Sequence, residues 1–249
     1  MLSKETLEII YQDDNLIAIN KPSGLLVHRS PIDRHEKRFA IQILRDQIGA
    51  YVYPIHRLDK PTSGVLLFAL DKATASLLSK QFKEHTIEKH YLAVVRGYTP
   101  SGGTIDHALS EKPDKIADKN RSQELKSQEA ITHYTRLATV EVPYPVAPYQ
   151  NSRYSLLHVR PQTGRKHQIR RHVKHISHHL ICDTKYGRGE HNRLFREKFE
   201  CHRMLLHAHT LRFEHPYTKE TLLIKASLDE TFTAVFKKFG WEDFLNYSQ

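Results

Sequence analysis

Tyr53-Pro-Ile-His-Arg-Leu-Asp-Lys-Pro-Thr-Ser-Gly-Val-Leu-Leu-Phe-Ala-Leu-Asp71 is the stretch whose reading decides the fold. It opens as a polar loop punctuated by Pro61 and Gly64, passes into the uninterrupted apolar run Val65 to Leu70, and ends on Asp71, a good helix N-cap. Leu77, Leu78 and Phe82 follow at helical spacing and predict the apolar side of that helix. A loop thus feeds a buried strand, and a helix leads away from it. Before this unit, Ile9-Ile-Tyr11 and Leu16-Ile-Ala-Ile19 flank a polar turn and predict a hairpin, and Lys21-Pro-Ser-Gly24 breaks the chain. Leu25 to His28 reads as a further extended run, Arg29 to Arg38 as a charged loop, and Phe39 to Ile48 as a helix with Phe39, Ile43 and Gln47 on one side, widened by Ile41, Leu44 and Ile48.

After the unit, strands are expected at Lys89 to Val95, Ala130 to Val142 and Tyr154 to Val159, with a loop at Pro100-Ser-Gly-Gly103. A basic helix is expected from about Lys166 to Ile176. Leu205 to Glu214 and Thr221 to Ala226 flank the hairpin signal His215-Pro-Tyr-Thr-Lys219, and a last helix runs from Asp229 to just before Gly240. Hairpins interleaved with long helices predict an α+β fold, a mixed, largely antiparallel sheet with flanking helices. The chain reads as one catalytic domain over residues 1–249, carrying a charged insertion at about 110–128 where apolar residues become scarce.

The 249 residues carry 38 Lys+Arg against 28 Asp+Glu, a net charge of +10, which calls for an anionic partner without naming a chemistry. The longest apolar run has six residues, far short of the roughly 20 that a membrane helix needs. The opening Met1-Leu-Ser-Lys-Glu-Thr6 has none of the regions of a secretory signal, and two cysteines, Cys182 and Cys201, suit a reducing cytoplasm.

Two segments carry chemistry. Asp59 stands among His56, Arg57 and Lys60 on a loop delivered by a rigid strand. An aspartate before a turn is most often a solvated cap, but a carboxylate kept ionised by surrounding cations meets the requirements of a nucleophile or general base. In Arg160-Pro-Gln-Thr-Gly-Arg-Lys-His-Gln-Ile-Arg-Arg-His172, a helix starting near Lys166 puts His167, Arg170, Arg171 and Lys174 on one side, with Ile169, Val173 and Ile176 packed inward. That is a cationic ridge suited to phosphates, and it offers a guanidinium partner for a carboxylate. The histidines at 167, 172, 175, 178 and 179, followed by Cys182, match no metal-ligand spacing and read as part of the same basic helix. Tyr144, Tyr149 and Tyr154 read either as base-stacking groups or as local packing.

Taken together, His56-Arg-Leu-Asp-Lys-Pro-Thr-Ser-Gly64, Asn20-Lys-Pro-Ser-Gly-Leu-Leu-Val-His28, Lys89-His-Tyr-Leu-Ala-Val-Val-Arg-Gly97 and Thr163-Gly-Arg-Lys-His-Gln-Ile-Arg170 resemble, in order, the motifs of the RluA-type pseudouridine synthases. Leu206-His-Ala208 and His215-Pro-Tyr-Thr218 are similar to that family's C-terminal strands. The resemblance runs from about residue 9 to residue 228. It implies a pseudouridine synthase fold with a central RNA-binding cleft, and an isomerase that needs no cofactor and no metal. It implies Asp59 as nucleophile, Arg170 as its partner, Tyr91 stacked on the uracil as the base, Ile169 in the pocket, and Arg57 filling the place of an extruded base. Arg165, Lys166, His167, Arg171, Lys174 and Lys60 would bind RNA. The compact layout, without the additional N-terminal RNA-binding module of many relatives, resembles the C type that acts on tRNA, at uridine 65 of the T-stem. A site in ribosomal RNA is the alternative substrate, and a non-catalytic RNA-binding module the alternative class. The expected state is a cytoplasmic monomer with no membrane and no obligatory protein partner.

Overall fold

The structure, a computed structural model, describes residues 5–29, 35–110, 127–245 and 247. The first hairpin pairs β1 (Glu8–Gln12) with β2 (Leu16–Lys21), and its turn is fixed by Asp13, whose Oδ1 accepts the N–H groups of Asn15 and Leu16, both at 2.7 Å. The extended run expected at Leu25 to His28 does not form a strand. It is irregular chain that touches Phe39 through one parallel bridge and buries Leu25 and Val27. Helix α1 (Ala40–Ile48) ends on Gly49 in the left-handed region. A short β3 (Tyr53–Pro54) precedes β4 (Ser63–Ala69), in which every residue is buried. Asp71 caps α2 (Lys72–Lys83) by accepting the Thr74 N–H at 2.9 Å. The apolar side of α2 is narrower than expected, because Thr74 and Leu78 are buried whereas Leu77 is 42% exposed.

Next come β5 (Glu88–Arg96), then β6 (Gly102–Asp106), which takes both glycines of the expected loop into a strand by pairing with a later one. Two short strands, β7 (Leu109–Ser110) and β8 (Ser127–Gln128), pair with each other; residues 111–126, most of the expected charged insertion, lie outside the described residues. The chain continues through β9 (Ile131–Val142), β10 (Ser152–Pro161), α3 (Gln168–His175), α4 (Gly189–Phe199), β11 (Leu206–Glu214), β12 (Thr221–Lys225) and α5 (Glu230–Phe239), the last capped by Asp229 and stopped by Gly240.

The main sheet runs β1-β2-β4-β11-β5-β10-β9-β6, with β12 on β11 and β3 on β4. Adjacent strands are antiparallel except β4 and β11, which are parallel, so the fold is α+β with a mixed, largely antiparallel sheet. Alternation along β5 divides the core. Leu92 and Val94 join Leu156 and the phenylalanines of α4 and α5, while Ala93 and Val95 join Leu157, Val159 and the α3 residues Ile169 and Val173. Helix α3 is thereby laid against the sheet beside Tyr91.

Gly64 marks where β4 meets β11. Its φ is +111°, and a Cβ there would lie 2.1 Å from the Ala208 carbonyl oxygen. No other residue type fits without moving a central strand. Gly64→Ala is expected to cost roughly 3 kcal/mol or more from backbone strain and overlap together, read as a lower denaturant midpoint. An unchanged midpoint would mean that β4 and β11 do not approach this closely.

Candidate active site

Asp59 is held by the turn that leads into β4, where the Thr62 N–H donates to the Asp59 carbonyl at 3.0 Å. A second segment braces that turn from below. The Gly24 N–H donates to the Lys60 carbonyl and Ser23 Oγ to the Pro61 carbonyl, each at 2.8 Å. The fully buried Lys21 donates from Nζ to the carbonyls of Pro22 and Leu25 at 2.8 Å and of Lys60 at 3.3 Å. Burial, with help from nearby Arg203, lowers its pKa to about 7 against the pull of Asp59. The segment Asn20 to His28 is therefore a strut for the Asp59 loop, with its ammonium spent on loop carbonyls.

Arg170 reaches Asp59 from α3, with Nη1 donating to Asp59 Oδ2 at 3.0 Å. Its other edge is clamped. Nε and Nη2 donate to the two oxygens of Asp183 at 2.7 and 2.8 Å, a bidentate pair in which the Asp183 side chain is wholly buried. Asp183 also accepts the N–H groups of Lys185 and Tyr186, at 2.8 and 3.0 Å. Burial of Asp183 works against its ionisation, but the Arg170 and backbone hydrogen bonds outweigh this and hold its pKa below the usual carboxylate value. Burial likewise works against the Arg170 charge, and the bonds to Asp183 and Asp59 raise its pKa. The Tyr186 ring lies 5.1 Å from the guanidinium carbon of Arg170, and its hydroxyl is hydrogen-bonded to His167 Nδ1 at 2.9 Å.

These contacts correct the expected ridge. Helix α3 begins at Gln168, not Lys166, and Arg170 is 5% exposed, turned into the protein between two carboxylates. His172 is fully buried, bonded to Thr132 Oγ1 and the His107 carbonyl, because it faces β9. His167, at φ +57° before the helix, lies 3.8 Å from Asp59 Oδ1. Burial outweighs that carboxylate and lowers its pKa to about 4, so at neutral pH the imidazole is uncharged. Gln168 fixes the preceding loop: its Oε1 accepts from Thr163 Oγ1 and the Arg165 N–H, and its Nε2 donates to the Ile131 carbonyl and to Thr132 Oγ1.

A cleft of about 370 Å³ opens over this array, lined among others by Asp59, Lys89, Tyr91, Thr163, Ile169 and Arg170. Asp59 is a quarter exposed into it. Burial, and then the Asp59 charge, push the Tyr91 phenol far above its ordinary pKa, so it is a neutral phenol in the free protein. His56 accepts the Leu67 N–H and is pulled down to about 3, first by burial and then by Lys89. At the rim Arg57 is exposed, and Arg165 donates to the Glu129 carbonyl. Lys166 and Lys174 are exposed and Arg171 half-buried. Lys60 is not a free cation, because it pairs with Glu36. Of the tyrosines singled out, Tyr154 is fully buried in the core, Tyr144 packs on Phe199, and Tyr149 is 61% exposed. Cys182 and Cys201 are buried thiols whose sulfurs lie 3.9 Å apart. Among the described residues, no three His, Cys, Asp or Glu side chains converge to hold a metal ion.

Asp183 and Tyr186 were not legible as site residues. The only local signal is a carboxylate placed directly after the apolar Leu180-Ile-Cys182.

The profile of a family described as RNA pseudouridylate synthase matches residues 15–175. A tRNA pseudouridine synthase C of Vibrio parahaemolyticus is 53% identical over 237 residues, covering 95% of this chain and 96% of the relative. One of Haemophilus ducreyi is 54% identical, covering 94% and 96%. The solved structure of human RNA pseudouridylate synthase domain containing 1 superposes with a TM-score of 0.68 at 28% identity, over 91% of this chain and 85% of that one.

Proposed function

The chain belongs to the RNA pseudouridylate synthase family and is an isomerase that converts uridine to pseudouridine, and on that premise we propose that its substrate is tRNA and its target uridine 65 of the T-stem. The observation that carries the reading is the ionic array itself: one carboxylate open to a cleft, fixed by an arginine that a second carboxylate holds from behind. The reaction breaks the bond from N1 to C1′, turns the base and rejoins it through C5, with no net oxidation and no water consumed. Neither a metal nor a cofactor is called for.

Asp59 is the nucleophile toward the flipped nucleotide, and Arg170 orients it. Attack on C1′, abstraction of a sugar proton on a glycal route and addition to uracil C6 all start from that same carboxylate. Tyr91 lies against the base as a neutral phenol, and Ile169 forms the apolar floor. Arg57, on the rim, fills the gap that an extruded uridine leaves in its stem. Lys166, Lys174, Arg171 and Arg165 hold phosphates, and affinity falls steeply with salt as their counterions are released. Lys60 and His167, one paired and one neutral, shape the loop and the pocket more than they attract RNA.

No helix among the described residues is long and apolar enough to cross a membrane. The chain acts as a single catalytic domain, a monomer in the cytoplasm without an obligatory protein partner. The deciding measurement maps pseudouridines by carbodiimide-blocked reverse transcription in total tRNA and rRNA, from cells with and without the protein. Loss of one tRNA site, at position 65, is expected; loss of a ribosomal site with tRNA unchanged would overturn the substrate.

A further inference from the structure

Lys89 lines the cleft two residues before Tyr91, and no step above employs it. The other basic groups lining the cleft are differently placed. Arg170 divides its guanidinium between two carboxylates, Arg165 turns its Nε to the Glu129 carbonyl and keeps its remaining donors for phosphate, Arg57 stands on the exposed rim, and His56 and His167 are neutral. Asp59 is the one carboxylate among the cleft-lining residues, and Arg170 holds it. Lys89 forms no ion pair with a described carboxylate. Its Nζ donates to the Thr163 carbonyl at 3.3 Å and lies over Gly164, 4.0 Å from where a Cβ would be, which leaves two of its three N–H donors for a ligand. A half-buried ammonium without an anion is costly unless something charged arrives.

The chemistry supplies such a charge. When the glycosidic bond opens, its electron pair stays with the base, and the detached uracil is an anion spread over N1 and its carbonyl oxygens. On the route through C1′ attack, the anion vanishes when C5 gives its pair to C1′, which releases the pair it shared with Asp59 back to the carboxylate, and the proton that leaves C5 is matched by the one that N1 takes up. Through that interval a cation beside the ring lowers the barrier, whereas Arg170 is already committed. We propose that Lys89 is a catalytic residue of the isomerisation, its ammonium hydrogen-bonding a carbonyl oxygen of the uracil ring and neutralising the anion formed as the base leaves C1′. Burial alone lowers this ammonium's pKa to about 8, so it is protonated and weakly solvated at neutral pH, a stronger donor than a surface lysine. The titratable and charged groups that line the same cleft are His56, Arg57 and Asp59 from the loop before β4, Tyr91 on its own strand, and Arg165, His167 and Arg170 from the segment after β10; α2 and β11 present Phe82 and Leu206.

The inference rests on the cleft being the uridine site, for which activity of the wild type and its loss in Asp59→Asn are the control. Single-turnover rates are measured for Lys89→Met and Lys89→Arg on the same tRNA. Lys89→Met is expected to slow the bound-state reaction by about 10² to 10³, the range for removing one preorganised donor to a developing anion, while KM changes by less than threefold. Lys89→Arg recovers part of the loss. In the wild type kcat/KM falls as pH rises through about 8, where the ammonium deprotonates, and Lys89→Met lacks that limb. A loss confined to KM would make Lys89 a phosphate contact, and an unchanged rate would make it a structural residue; either result overturns the proposal. The Met variant removes a half-buried charge and keeps the stem, so its melting temperature serves as the check on folding.

Discussion

Asp59→Asn is expected to abolish tritium release from RNA labelled at uridine C5 while leaving RNA affinity within a few fold of the wild type. Asparagine is nearly the same size, and its carbonyl oxygen still accepts from Arg170, whose Nη1 donates to Asp59 Oδ2 at 3.0 Å. The loop geometry is set by the Thr62, Gly24 and Lys21 hydrogen bonds, which all involve backbone carbonyls and do not touch the Asp59 carboxylate. The change therefore removes charge and nucleophilicity and little else. Affinity comes from many phosphate contacts with Lys and Arg, and removing one negative charge from the cleft does not weaken them. Measurable turnover by the Asn variant would sink Asp59 as the nucleophile. Equal loss of binding and turnover would make it a folding residue.

Asp183→Ala is expected to lower stability by about 3–5 kcal/mol, the cost of stranding one partner of a buried ion pair, and to reduce turnover by at least about 10²-fold. The wholly buried carboxylate takes two guanidinium bonds and two backbone N–H groups, all orphaned at once. Arg170 would then turn its freed edge to Asp59, neutralising the nucleophile and drawing it back. The sign of the pH dependence follows from the depressed pKa of Asp183. Its contribution is complete above the unfolded-state carboxylate value, near about 4, and is lost as pH falls through the lower folded value, so the gap between wild type and variant narrows in acid. Urea titrations at neutral pH and at pH 3 measure this. A gap that stayed constant would show that the carboxylate is not held ionised by Arg170.

Much of the fold was legible because its signals are local. The polar turn at Asp13, the apolar run of β4, the Asp71 cap and the span from Asp229 to Gly240 each specify an element from within a few residues. Helix α4 was not, for a physical reason. Its buried face includes His191 and Asn192, which satisfy their polar atoms by bonding Arg96, Tyr154, the Cys182 N–H and the Asp183 carbonyl, so no clean apolar stripe appears in Gly189 to Phe199. That polar face is also what fixes the Asp183 turn. The sequence points to Asp59, Arg170, Tyr91 and Ile169 as site residues, and the structure lines one cleft with all four; the Asp59 substitution tests the first of these roles directly. Helical spacing puts Arg170 on the cationic side of α3, because it cannot say whether an arginine faces water or the two carboxylates that hold it. Residue type alone makes Lys60 and His167 cations, whereas Lys60 finds Glu36 and burial lowers the pKa of His167.

Strand β11 separates β4 from β5, yet it is made last, more than a hundred residues after either. During synthesis the Asp59 loop and the Tyr91 strand therefore emerge as parts of two half-sheets whose facing edges lack their β11 partner, and exposed edges invite pairing with other chains. The cleft comes into being only when residues 206–214 slot between them. A ribosome stalled before Leu206 would carry every cleft residue except Leu206 and no working enzyme, and that interval is when the nascent chain most needs a chaperone.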